Sequence, residues 1–200
     1  MKLLRYGPPG KEKPGLLDKT NRIRDLSGKI PDIADEALSP QSFQRLQSLD
    51  IATLPLVGGN PRLGPCVTHV GKFICIGLNY SDHAAETGNP APAEPVVFMK
   101  ATSAITGPND NVVIPRHSQK TDWEVELGVI ISSPTKYVAE SQALNHVAGY
   151  CVINDLSERA FQLESTGQWT KAKAPTPSAP SAHGWSPKTK SPTRKISTYG

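Results

Sequence analysis

Polar and apolar positions alternate through Thr121-Asp122-Trp123-Glu124-Val125-Glu126-Leu127-Gly128-Val129-Ile130-Ile131. Branched and aromatic residues without a proline predict a β-strand over 121–131. Residues two apart on a strand share a face. Glu124 and Glu126 therefore point together, while Val125, Leu127 and Val129 point the other way. Shorter apolar runs predict further strands at 2–6, 71–77, 95–100, 112–115 and 147–154, with 71–77 and 147–154 expected to be buried. The runs at 15–17 and 22–26 flank a polar turn at 18–21, which predicts a hairpin. Helical signals are fewer. Ser39 before Pro40 is an N-cap followed by a first-turn proline, predicting a helix to about Leu49. Ser81 or Asp82 caps a short helix that carries His83 and Glu86 on one face. Segments 141–146 and 156–162 also read as helical. The expected class is mainly β with a few short helices, α+β.

Gly58-Gly59-Asn60-Pro61 and Gly64-Pro65 mark a linker, so 1–65 is expected to form a small N-terminal lobe and 70–171 the main domain. The texture changes at Lys171. The last thirty residues hold five Pro, five Ser and four Thr without apolar periodicity, which predicts a disordered tail at 172–200. The net charge of +4 is equally uneven. Residues 171–200 carry five Lys, one Arg and no acid, leaving 16 basic against 18 acidic residues elsewhere. The basicity belongs to the tail. It is no nucleic-acid signature, because Trp185 and Tyr199 alone make no stacking platform.

Cys66, Cys75 and Cys151 are odd in number and far apart, which argues for buried reduced thiols. No apolar run approaches the roughly 18 residues of a membrane span, and the N-terminus lacks signal-peptide character. A cytoplasmic location with no membrane partner is expected.

The candidate chemistry is acidic. Two carboxylates on one face of an apolar strand repel each other and lose hydration, and a divalent cation offsets that cost. Taken alone, the pair favours a solvent-exposed edge carrying two Glu residues; the flanking motifs change the balance. Asp155 ends the predicted strand 147–154, where it is placed either as a third ligand or as a helix N-cap. Arg159 and Gln162 follow on one helical face, suited to gripping a carboxylate. Glu86 can orient His83 as a general base. Lys100, at a strand end, is within reach of such a site, whereas His69 stands alone. An all-oxygen ligand set suits Mg²⁺, with Mn²⁺ or Ca²⁺ as alternatives.

GLNYSDHAAE at 77–86, FMKATSAI at 98–105, DWEVELGVII at 122–131 and GYCVINDLSERAFQ at 149–162 occur in this order. Together they resemble the fumarylacetoacetate hydrolase family, with its hydratase, decarboxylase and ureidoglycolate-lyase-like relatives. The resemblance implies a mixed β-roll and a homodimer. It implies Glu124, Glu126 and Asp155 as metal carboxylates, His83 and Glu86 as the acid/base pair, and Arg159 and Gln162 as substrate contacts. Lys173 falls where the family places its active-site lysine. The implied activity is metal-dependent hydrolysis or lysis of a 2-oxo carboxylic acid, acylpyruvate-like or ureidoglycolate-like.

Family members continue well beyond this lysine. Read one base out of register, the tail codons permit K-G-K-G-x-D-T-F-G-P-I-G-P-W-L-V, similar to the family's own continuation. The tail is therefore expected to be out of frame and the β-roll incomplete, giving an inactive, poorly folded chain. A natural disordered tail on a non-catalytic fragment is the alternative.

Overall fold

The computed structural model describes residues 1–80 and 92–173, together with the backbone of 179–180 and 186–187. The chain divides into two units, one built on Met1–Thr68 and Leu127–Val152, the other on His69–Glu126 and Ile153–Ser181.

Strands β1 (Lys2–Tyr6), β2 (Lys13–Leu17) and β3 (Ile23–Asp25) form an antiparallel sheet with Leu3 opposite Leu16 and Leu17 opposite Ile23. The predicted polar turn is closed by Asp18, whose Oδ1 accepts from the N–H groups of Thr20 at 2.8 Å and Arg22 at 3.1 Å. Ser39 caps helix α1 (Pro40–Gln47) as expected. Its Oγ accepts from the Ser42 N–H at 3.2 Å, and Pro40 lies in the first turn. The helix stops short of the predicted Leu49. Phe43 and Leu46 are buried, as are Leu3, Leu16, Leu26 and Ile33 of the same unit.

Strands β4 (Phe73–Gly77) and β5 (Val96–Lys100) pair antiparallel, with Phe73 opposite Lys100 and Gly77 opposite Val96. Cys75 and Lys100 are buried, whereas Ile74, Ile76, Val97 and Met99 are exposed. Segment 71–77 is thus covered on one face only, not buried throughout as its composition suggests. The predicted helix carrying His83 and Glu86 lies outside the described residues.

Strand β6 (Ile105–Thr106) follows. The predicted strand at 112–115 is irregular. Val113 and Ile114 are more than half exposed, and Pro115 has no N–H for a ladder. Branched residues make a strand only where a partner and a buried face exist.

The single strand predicted over 121–131 is two strands, β7 (Thr121–Asp122) and β8 (Val125–Ile131), interrupted at Trp123 and Glu124. Each half joins a different sheet. β8 pairs with β9 (Val147–Asn154), while β7 pairs with β10 (Ser157–Glu158). The Asp122 side chain accepts from the Trp123 N–H at 2.9 Å, drawing that donor away from a ladder. Between β8 and β9 lie the short helix α2 (Glu140–Ala143) and a 3-10 turn (Leu144–His146), where helix is predicted. β9 keeps the predicted bounds, but Val152 is half exposed, so this strand too is only partly covered.

A continuous helix from Leu156 is not formed. Helix α3 (Arg159–Leu163) starts later, because its cap is Glu158 rather than Asp155. The buried Glu158 carboxylate accepts from the Ala160 N–H and from the hydroxyls of Ser118 and Thr121. Helix α4 (Trp169–Lys173) completes the side-chain description. It extends two residues into the stretch predicted to be disordered. The backbone of β11 (Ala179–Pro180) runs parallel to β6, and that of β12 (Ser186–Pro187) runs antiparallel to β9. The rest of 174–200 lies outside the described residues.

All three cysteines are buried, and none is in a disulfide. Among the described residues no helix is long and apolar enough to cross a membrane.

Candidate metal centre

Glu124, Glu126 and Asp155 converge. One carboxylate oxygen from each lies within 4.8 Å of the others. The backbone enforces the meeting. The Asp155 N–H donates to the Glu124 carbonyl at 2.8 Å, and the Glu124 N–H donates to Asn154 Oδ1 at 3.2 Å. These bonds tie the break before β8 to the end of β9. Within β8, Glu126 faces the side opposite the exposed Val125, where it meets the other two acids.

Among the described residues, three cations face the acids. Lys173 Nζ lies 2.6 Å from Glu124 Oε2 and 2.8 Å from Asp155 Oδ2. Lys100 Nζ donates to Asp155 Oδ1 at 2.6 Å and to the Leu156 carbonyl at 3.1 Å. Arg159 Nη2 lies 2.6 Å from Glu124 Oε1 and 2.7 Å from Asp122 Oδ2. Its Nη1 donates to Gln162 Oε1 at 2.8 Å, so Arg159 and Gln162 do share a helical face. In this arrangement the guanidinium is engaged by Asp122 and Glu124, a partnership sequence reasoning missed. Asp122 looked like one more polar position of a continuous strand; the break at Trp123 re-aims it.

Glu126 is the acid left over. Burial first, then the charges of Asp155 and Glu124, push its carboxyl up to about 7. Asp122 goes the other way. Burial raises its carboxyl, but hydrogen bonds from Arg159 and Trp123 more than reverse this and hold it below the usual range. Burial also pulls the Lys100 ammonium down, against the opposing pull of Asp155.

The donor chemistry fits a hard divalent cation. The acids supply only oxygen ligands. Burial, and after it an excess of negative charge in which Asp122, Glu124, Glu126 and Asp155 outnumber Lys100, Arg159 and Lys173, makes Glu126 reluctant to ionise.

A wall of rings stands beside the lysine. Phe98 and Trp169 meet edge to face with centroids 5.4 Å apart, and Lys173 Nζ sits 5.6 Å from the Phe98 centroid. Trp169 presses on Gly77 so closely that a Cβ there would lie 2.4 Å from the ring. The sequence signals for this wall were a strand-terminal glycine and an isolated tryptophan, neither specific.

The sequence pattern described as Fumarylacetoacetate (FAA) hydrolase C-terminal matches residues 72–194. Provisionally named hydrolases of Burkholderia cenocepacia and Burkholderia multivorans are each 65% identical over 173 residues, covering 86% of this chain. The chain spans 61% of the length of these relatives. Among solved structures, fumarylacetoacetate hydrolase from Exiguobacterium antarcticum superimposes with a TM-score of 0.73 at 28% identity, covering 94% of this chain and 66% of the other. The 2-hydroxyhepta-2,4-diene-1,7-dioate isomerase of Mycobacterium marinum gives 0.68 at 26%, covering 95% and 67%.

Proposed function

The chain belongs to the fumarylacetoacetate hydrolase family, and from that premise we propose that its acidic centre holds a divalent cation, Mg²⁺ foremost, and serves a hydrolase or lyase acting on a 2-oxo carboxylic acid. The observation that carries this is the convergence of Glu124, Glu126 and Asp155 with Lys173 beside them. The three acids would hold the cation, with Mn²⁺ or Ca²⁺ as alternatives. When bound, it supplies Lewis-acid polarisation of a chelated 2-oxo group.

The chain's own residues do the rest. Lys173, with its ammonium against the acid cluster, stabilises negative charge developing on a substrate enolate. Arg159, steadied by Gln162, takes up the substrate carboxylate by exchanging its present partners, Glu124 and Asp122. The roles of His83 and Glu86 as the proton-transfer pair rest on the resemblance. The names of the relatives, hydrolase for some and isomerase for another, keep the reaction open between cleavage and rearrangement. A homodimer is the assembly proposed.

Titration of the chain with Mn²⁺, followed by its electron-spin resonance signal, tests the centre. Binding should occur near one equivalent, Mg²⁺ should compete, and Glu124→Gln, Glu126→Gln and Asp155→Asn should each weaken it. Binding that ignores all three substitutions would overturn the cation assignment. A Mg²⁺-dependent change in the ultraviolet absorption of an acylpyruvate would extend it to catalysis.

A further inference from the structure

Among the described residues Lys100 is the largest fully buried side chain, with none of its side-chain surface exposed. A buried ammonium is costly unless paired and hydrogen-bonded. Lys100 meets both conditions through Asp155 Oδ1 and the Leu156 carbonyl. It ends β5, so it is a strut from that strand to the chain just past β9.

The two lysines divide Asp155 between them. Lys173 bridges Asp155 Oδ2 and Glu124 Oε2, so Oδ2 is the oxygen turned to the acid cluster. Oδ1 is turned away and held by Lys100 at 2.6 Å. With one oxygen pinned, the carboxylate cannot rotate, and the Leu156 carbonyl fixes the ammonium in turn. Such outer partners of a ligand orient it before the ion arrives.

We infer that Lys100 is a positioning residue that presets Asp155, presenting Oδ2 to the cation site while holding Oδ1 out of it. The inference rests on the cation assignment proposed above. It also makes a prediction opposite in sign to simple electrostatics. Removing a positive charge beside an acidic cluster should tighten cation binding; removing the device that orients a ligand should weaken it.

The test is Mn²⁺ binding to the full 200-residue chain and its Lys100→Met variant, at pH 7 and pH 9, with circular dichroism to establish folding. The expected result is a Kd raised by about ten- to a hundredfold in K100M, the range typical of lost outer-shell partners, at both pH values. Equal or tighter binding would overturn the inference. So would a loss at pH 7 that disappears at pH 9, because a role in fixing geometry does not depend on pH. Should K100M not fold, a crystal structure of the Mn²⁺-loaded wild-type chain decides. Oδ2 on the ion with Lys100 still on Oδ1 supports the inference, and Oδ1 on the ion or Lys100 released overturns it. Wild-type chain that binds no Mn²⁺ would overturn the cation assignment itself, and the role of Lys100 with it.

Discussion

Glu126 resists ionising. Its carboxyl stands near 7, raised first by burial and then by Asp155 and Glu124. The sign of the consequence differs for folding and for binding. An acid with a native pKa above its unfolded value is bound more tightly to its proton in the fold, so ionisation costs stability. In the metal-free chain the stability that Glu126 contributes should therefore be fully present below the ordinary carboxyl value of 4.5, be lost as pH rises from there to about 7, and level off above. Cation binding needs the ionised form, so Mn²⁺ affinity should climb through the same window, by roughly thirtyfold between pH 5.5 and pH 8. Binding curves at the two pH values check this, and Glu126→Gln should flatten the dependence. The pairing of Glu124 with Glu126 was legible in the sequence from their spacing of two, although in the fold Glu124 lies in the break before β8 and is held there by Asn154 and Asp155. The engagement of Arg159 by Asp122 was not, because it depends on where the strand breaks.

Helix α1 and the contact between β4 and α4 give two tests among the secondary-structure elements. The Ser39 cap satisfies one N–H at the helix start, so Ser39→Ala should lower stability by about 1 kcal/mol in urea denaturation. At Gly77 a methyl group would collide with the Trp169 ring. Gly77→Ala should shift the tryptophan emission and, by moving the helix that ends in Lys173, weaken Mn²⁺ binding. Unchanged emission and unchanged binding would show that the ring yields without cost. Elements marked by local chemistry were readable, including β1, the turn closed by Asp18, the Ser39 cap and the full extent of β9. Elements set by partners were not. Segment 112–115 has strand-forming residues but no ladder. At 156–162 a helical pattern yields to β10, because β7 is there to pair with it.

Among the described residues, whole rows of apolar side chains are exposed. Leu127, Val129 and Ile131 on β8 and Val152 on β9 are each about half exposed, and Ile74, Val97 and Met99 form a similar row on β4 and β5. The chain spans 61% of its curated relatives. Rows of this kind drive association. The chain should sediment as a concentration-dependent mixture, and Val129→Lys should shift it toward the smallest species. A sharp, concentration-independent boundary in the unsubstituted chain would show that these rows are inert.

The acid centre also has a consequence in time. It joins positions 100, 122–126, 155 and 173, which lie far apart along the chain, so closing it requires ordering long intervening loops. Such long-range contacts form late in folding. An ion that recognises only the closed centre would find nothing to hold in the transition state. Mn²⁺ should then slow unfolding in stopped-flow traces and leave the refolding rate almost unchanged. The metal would act as a latch on a finished structure, not as a seed for it.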